Sequence, residues 1–248
     1  MAFLHHATPA EVKVIRQLRS EANQLGRVGW VPHEYGRSRD TASYLSVSTK
    51  LQTDFVEKVR ELSSQFPGET IEVLFEGAGF STFPQELERR CKGAGLRVRV
   101  SKSDLYSKKN YARMASDAKT DGQNYRSAAP EQLVKIFGER HFHLVISRSG
   151  GLTYTPFPQV KGIANVCGVL KPGGEAHIFS EDVDMAPMPF GRKIWLSQHG
   201  KPTEVGAFFN GNSEFVAKQE IRLAGAPFVE QFPILRIKRK TQTRVVAH

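Results

Sequence analysis

Ile71-Glu72-Val73-Leu74-Phe75-Glu76-Gly77-Ala78-Gly79-Phe80-Ser81 is the stretch on which the fold turns. Its first five residues, rich in β-branched and aromatic types, read as a buried strand. An acid, two glycines and a serine follow, and then a helix-like run from Pro84 to Cys91. A strand, a tight glycine turn and a helix start together form a cradle for a nucleotide-like ligand. Glycine lets the main chain come close, and the first turn of a helix offers N–H groups with no partner inside the helix. Further along, Val169-Leu170-Lys171-Pro172-Gly173-Gly174 reads as a turn leading into another strand.

Around that stretch the chain alternates between strand and helix patterns. Candidate strands are 71–75, 96–100, 123–127, 142–147 and 176–180, with helical runs near 84–92, 108–119, 130–138 and 157–169. This alternation implies an α/β fold, Rossmann-like, with a mostly parallel sheet and helices on both faces. Toward the C-terminus, Ala207 to Val216 around Asn210-Gly211 reads as a hairpin, and Phe232 to Lys240 as a final strand. An antiparallel hairpin or edge strand is therefore expected there, with Arg236, Lys238 and Lys240 on one face and Leu235 and Ile237 on the other.

Residues 1–68 lack strand patterns. Thr8-Pro9-Ala10-Glu11 opens a helix, and Leu51, Phe55, Val59, Leu62 and Phe66 form the stripe of a second one, stopped at Pro67-Gly68. The expected organisation is an N-terminal helical cap or extension over 1–68 and an α/β domain over 69–248. Within the second candidate strand, Leu96, Val98 and Val100 alternate with Arg97 and Arg99. A strand buried on both faces is almost wholly apolar, so one face here is expected to be open or covered by something acidic.

The chain has 248 residues, two cysteines and a net charge of +10. Cys91 and Cys167 are far apart and in no metal-ligand spacing, which argues against a disulfide framework or structural zinc and suits a cytoplasmic setting. No apolar run approaches the roughly 20 residues of a membrane span, and the first residues lack a signal-peptide core. The charge is localised. Residues 86–113 hold nine Lys/Arg against three acids, and 231–248 hold five against none. Such clusters attract anions, RNA among them.

The glycine turn at Glu76–Ser81 and the later Leu170-Lys171-Pro172-Gly173-Gly174, in that order, resemble the class I (Rossmann-like) S-adenosylmethionine-dependent methyltransferases over about residues 70–180. The resemblance implies S-adenosylmethionine as cofactor. Gly77, Ala78 and Gly79 match the family's glycine turn, with Ser81 where a third glycine usually sits, and Glu76 is placed to meet the donor's ammonium. Asp104 matches the acid that takes the ribose hydroxyls. Ser127, Ala128 and Ala129 fall near the adenine, and Ser147, Arg148 and Ser149 end the fourth strand, where donor and acceptor meet. A nicotinamide-type dinucleotide fold would want glycine where Thr82 stands.

The sequence departs from the family pattern in three places. The acid two residues before the first glycine is replaced by Phe75. The aromatic–acid pair that begins the fourth strand is Phe142-His143 here. The adenine position has no clear acid, unless Asp117 or Glu131 serves.

Tyr154, just past the fourth strand, and His177, on the fifth, are the candidate catalytic residues. Glu181 and Asp182 flank the same strand, His143 lies within the fourth, and His33 and Tyr35 are placed to close over the site as a lid. Ser147-Arg148-Ser149-Gly150 lacks the Asp/Asn-Pro-Pro-aromatic signature of amino-group methylators of bases, and there is no Pro-Cys for cytosine-carbon methylation. The implied function is transfer of a methyl group to a small molecule, a peptide or protein, or RNA. The alternative is a non-catalytic module on the same scaffold that binds an anionic partner such as RNA.

Overall fold

The computed structural model describes residues 8–27, 43–79, 81–117, 123–148, 152, 159–179, 196–198, 200–223 and 231–241. Its strands are β1 (Ile71–Glu76), β2 (Val98–Asp104), β3 (Tyr125–Ser127), β4 (Phe142–Arg148), β5 (Leu170–Phe179), β6 (Ser197–Gln198), β7 (Lys201–Pro202), β8 (Phe215–Leu223) and β9 (Gln231–Arg239). Seven form one sheet in the order β3-β2-β1-β4-β5-β9-β8, and β6 pairs with β7 apart from it. The first five strands run parallel, and β9 and β8 close the far side antiparallel. The chain passes from β3 on one side of β1 to β4 on the other, so the strand order reverses at β1/β4. Open α/β sheets bind ligands outside the carboxyl ends of their strands at such a point.

The helices are α1 (Pro9–Arg27), α2 (Tyr44–Lys50), α3 (Phe55–Gln65), α4 (Phe83–Gly93), α5 (Lys108–Asp117), α6 (Leu133–Phe137), α7 (Gln159–Val169) and α8 (Glu204–Asn210), with a 3-10 turn over Pro130–Gln132 before α6. Alternation along the strands divides the apolar side chains between two layers. Leu74, Val145, Ala176, Ile178, Leu235 and Ile237 face Leu133, Ile163, Val166 and Phe208. Ile71, Val73, Phe75, Leu144 and Ile146 face Val47, Phe55, Leu62 and Leu87. Helices thus pack on both sides of the sheet, as the alternation of elements predicts. Cys91 and Cys167 lie in opposite layers, each a buried free thiol on a helix.

The helical front segment is not one unit. Residues 44–65 belong to the core of the sheet: the stripe of α3 sits directly on it, and burying each such side chain contributes about 1.5–3 kcal/mol. Asp54 caps α3 through Val56 and Glu57 N–H and takes the Tyr44 hydroxyl at 2.7 Å. Helix α1 lies elsewhere, with Ile15 and Val14 against Leu105 and Ala129 past the carboxyl ends of β2 and β3.

Two expectations are corrected. Ala207–Val216 is not a hairpin. Thr203 Oγ1 accepts from Gly206 N–H at 3.1 Å and starts α8, which runs to Asn210; the helix then closes with Gly211 N–H on Ala207 O (3.0 Å) and Asn212 N–H on Phe209 O (3.2 Å). Gly211 has φ −86°, so Asn210-Gly211 serves as a helix stop rather than a tight strand turn. The hairpin is β8–β9, and β9 is interior to it: β8 is the outermost strand. Arg236 and Lys238 accordingly meet acids, Glu220 at 2.9 Å and Glu175 at 3.3 Å.

The Lys171-Pro172-Gly173-Gly174 segment is a bulge within β5. Leu170 pairs with Phe142 and Glu175 with Leu144, so the intervening residues arch outward. Gly173 adopts φ +85°. A Cβ on Gly174 would stand 2.9–3.1 Å from the carbonyl oxygens of Lys171, His143 and Phe142. Gly174→Ala is therefore expected to lower stability by about 1–3 kcal/mol through overpacking against main chain that cannot yield, seen as a drop in Tm by scanning calorimetry. An unchanged Tm would contradict this packing.

Candidate functional site

Glu76 ends β1. Its neighbours in register are Ser103 of β2 and Ser147 of β4, so the three side chains project from one face of the sheet. All are buried. Ser147 Oγ donates to Glu76 Oε2 at 2.6 Å, while Ser103 Oγ has no hydrogen-bond partner among the described residues. A buried hydroxyl without a partner costs free energy in the protein alone and suits a site that a ligand completes.

The chain then turns through Gly77 (φ +64°) and Gly79 (φ +48°), conformations that side chains other than glycine's rarely adopt. Ala78 N–H donates to Ser103 O at 3.0 Å. Gly79 N–H donates to Asp104 Oδ2 at 2.9 Å, and Asp104 Oδ1 accepts from Leu105 N–H at 2.6 Å. The carboxylate at the end of β2 thus lies against the glycine turn. Ser81 Oγ accepts from Phe83 N–H at 3.1 Å at the start of α4, where Thr82 provides no side-chain cap.

Phe75, which stands where the resembled family has an acid, packs on Phe83 with ring centroids 4.9 Å apart. Phe83 also meets Phe55 at 5.4 Å and Tyr44 at 5.8 Å. An apolar residue at position 75 is therefore what anchors the N-terminus of α4 next to the glycine turn.

Beside this cluster the ends of β2 and β3 are tied together. Tyr125 Oη donates to the carbonyls of Asp104 (2.9 Å) and Tyr106 (2.7 Å), and its pKa is raised by burial and by the nearby Asp104 charge. Ala128 N–H reaches Asp104 O at 2.9 Å, and Ser127 Oγ is 3.4 Å from Leu105 O. Helix α1 spans this edge: Arg19 contacts Ser127 O at 3.4 Å and Gln132 Oε1 at 3.1 Å, and Glu11 pairs with Lys161 of α7. Glu131 is buried in the 3-10 turn, and Asp117 ends α5.

The structure therefore brings Glu76, Gly77, Ala78, Gly79, Ser81, Asp104 and Ser147 into one region, with Ser127 along its edge. His177 is elsewhere. It pairs in register with Ile146 and Arg236, on the face opposite Glu76. There it touches the Phe55 ring, Thr53 Oγ1 (3.2 Å), Arg236 (2.8 Å) and Glu175 (3.5 Å). Arg236 also donates to the carbonyls of Leu51 and Gln52, so this network fastens the α2–α3 corner to the sheet. His143 is likewise built in: its Nδ1 accepts from Glu72 N–H at 2.9 Å and its Nε2 meets Glu69, with burial lowering its pKa. Tyr154, Ser149, His33, Tyr35, Glu181 and Asp182 lie outside the described residues.

Ser103 is the residue that sequence reasoning passes over. Its type and position say only that it precedes Asp104; the in-register pairing with Glu76 gives it a place.

The arrangement is a Rossmann-like, doubly wound α/β fold with a glycine turn, a carboxylate and buried hydroxyls at its topological switch point. No protein-family model matches the chain, and no curated protein matches it. Solved structures do. The 1,6-didemethyltoxoflavin-N1-methyltransferase of Burkholderia thailandensis, solved with 1,6-didemethyltoxoflavin and S-adenosylhomocysteine bound, is similar over 96% of this chain and 92% of its own, at 18% identity and a TM-score of 0.49. A SAM-dependent methyltransferase from Methanosarcina mazei is similar over 72% of this chain and 96% of its own, at 16% identity and a TM-score of 0.45. Among the described residues no helix is long and apolar enough to cross a membrane, and no group of three His, Cys, Asp or Glu could hold a metal ion.

The His177 network carries a pH signature. Burial raises the Glu175 pKa, but the His177 hydrogen bond and the Lys58 charge outweigh it and hold the carboxyl at about 2, below its ordinary 4.5. Its stabilising contribution is complete above pH 4.5 and is lost as the pH falls toward 2. In acid unfolding followed by circular dichroism, Glu175→Gln is expected to lose less stability than the parent across that window; parallel curves would reject the assignment.

Proposed function

We propose that this protein is an S-adenosylmethionine-dependent methyltransferase acting on an acceptor that is a small molecule, a peptide or protein, or RNA. The observation that carries this reading is the Asp104 carboxylate hydrogen-bonded to Gly79 N–H at the end of β2. The residues present fit the donor. A carboxylate has about four lone-pair sites. Asp104 uses two on Gly79 and Leu105, leaving enough for both hydroxyls of a ribose. A Cβ at Gly79 would meet nothing within 4 Å, so the turn borders open space while its φ keeps side chains out.

S-adenosylmethionine, when bound, supplies an electrophilic methyl group on a sulfonium; the protein's part is position and dryness. Gly77, Ala78 and Gly79 would give close main-chain approach to the amino acid end. Glu76, oriented by Ser147, would counter its ammonium, and the Ser103 hydroxyl would complete its hydrogen bonding there. Asp104 would hold the ribose, and Ser127 would border the adenine. Ser81 fixes the start of α4 beside the glycine turn, where its helix would help to hold the donor. Tyr154 is our candidate for receiving a proton from the acceptor, since it follows β4 at the switch point. His177, enclosed between Arg236 and Glu175, suits holding the α2–α3 corner rather than moving a proton. Two unpaired buried thiols, both with pKa values raised by burial, suit a cytoplasmic location.

Titration calorimetry with S-adenosylmethionine and S-adenosylhomocysteine tests the reading. The parent is expected to bind both and not NAD. Asp104→Ala is expected to weaken binding at least tenfold, or about 1.4 kcal/mol. Absence of binding by the parent would overturn the proposal, and unchanged affinity in Asp104→Ala would remove that residue from the site.

A further inference from the structure

The sheet face that carries Glu72, Leu74 and Glu76 is not covered along its whole width. Helix α6 is five residues long and ends at Phe137. Beyond it, β2 and β3 border an open groove of about 940 Å3, running from Ser127 at the carboxyl end of β3 to Glu72 and Arg99 near the amino end of β1 and β2. From Arg99 to Asp104, the register partner of Ser127, is five residues, roughly 16 Å of extended chain. This is the open face that the Leu96–Val100 alternation predicts. The acid it also predicts is present: Arg99 binds Glu72 through Nε at 2.9 Å and through a second guanidinium nitrogen.

That pair answers the groove's one acid. Lys108 and Arg126, both exposed, line the same groove with no ion-pair partner among the described residues. The Arg99 side chain remains more than half exposed despite its bond to Glu72. Phe137 and the exposed His141, both edge-on to Phe142, line the groove as well, and Asn124 adds an amide. A positively charged groove with aromatic rings in its lining is the combination that binds single-stranded nucleic acid. A flat lipid surface would be met by a convex basic face rather than a recess, and an acidic peptide would leave the two rings without a counterpart.

We propose that this groove binds a short run of single-stranded RNA, with Arg99, Lys108 and Arg126 on phosphates and His141 and Phe137 against bases. The groove shares Ser127 with the proposed adenine edge, while its cations and rings lie outside the residues assigned to the donor.

Fluorescence anisotropy with a labelled oligouridine dodecamer tests it. Three phosphate contacts at about 0.7 per contact give a roughly twentyfold loss of affinity between 50 and 200 mM salt. The double variant Lys108→Glu/Arg126→Glu is expected to bind at least tenfold more weakly. His141→Ala is expected to lose at least about fivefold, the lower end of a base-stacking contribution. Lys240→Glu, in the other basic cluster, is expected to stay within twofold of the parent. The proposal is overturned if the double variant binds RNA as the parent does, if affinity is insensitive to salt, if Lys240→Glu carries the loss, or if phosphatidylserine vesicles bind more tightly than RNA. Calorimetry with S-adenosylmethionine on the double variant separates this site from the donor site. Retained donor affinity with lost RNA affinity supports the groove; loss of both rejects it as a separate site. Failure of the parent to bind the donor leaves the RNA result standing by itself.

Discussion

Burial of β1 on both faces is the constraint on which the molecule depends. A central strand with a helix layer on each side must be apolar or fully partnered. β1 carries two acids, and each is answered by a neighbouring strand. Glu72 takes Arg99 from β2, while its N–H goes to His143 of β4. Glu76 takes the Ser147 hydroxyl from β4. Since buried carboxylates demand such partners, these bonds pin the order β2-β1-β4 and its register, and so place the carboxyl ends of three strands side by side.

The candidate site follows from that register. Once Glu76, Ser103 and Ser147 stand in a row, the glycine turn has only a short way to travel before α4 begins, and Asp104 arrives at its N–H. The departures from the family pattern gain physical sense here. Phe75 supplies the apolar body against which Phe83 sets the start of α4, together with Tyr44 and Phe55. His143 supplies a neutral ring that accepts a main-chain N–H at the amino end of β1. Phe75 thus serves packing beside the turn, and His143 serves it at the other end of the strand.

The front of the chain is divided by the same logic. An amphipathic helix needs a surface to cover, and α3 finds it on β1 and β4 because Arg236, reaching across from β9, holds the α2–α3 corner through Leu51, Gln52 and Thr53. Helix α1 has no such place in the sheet and lies over the ends of β2 and β3. The tail strand that reads as a basic edge is therefore an interior strand whose charges are engaged, and the basic groove lies on the opposite half of the sheet.

Much of the fold was legible in the amino-acid order. The strand–turn–helix at Ile71–Cys91 and the alternation after it announce a parallel, doubly wound sheet because burial imposes periods of 2 and 3.6 on the side chains. Asp104 came into view only through the family resemblance: the strand pattern stopped at residue 100, and it is the structure that extends β2 to Asp104. What lay beyond reach was everything set by pairing between distant segments. Asn210-Gly211 is locally a good hairpin turn, yet Phe208 needed cover and a helix provided it. Ser103 became the register neighbour of Glu76, His177 a packed residue on the far face, and Phe137 and His141 part of the same groove lining as Arg126, only when strands far apart in sequence came into register. Local pattern fixes which face a residue occupies within its own element; which other residue it meets across the sheet is decided by the order and register of strands, and these exist only in the folded chain.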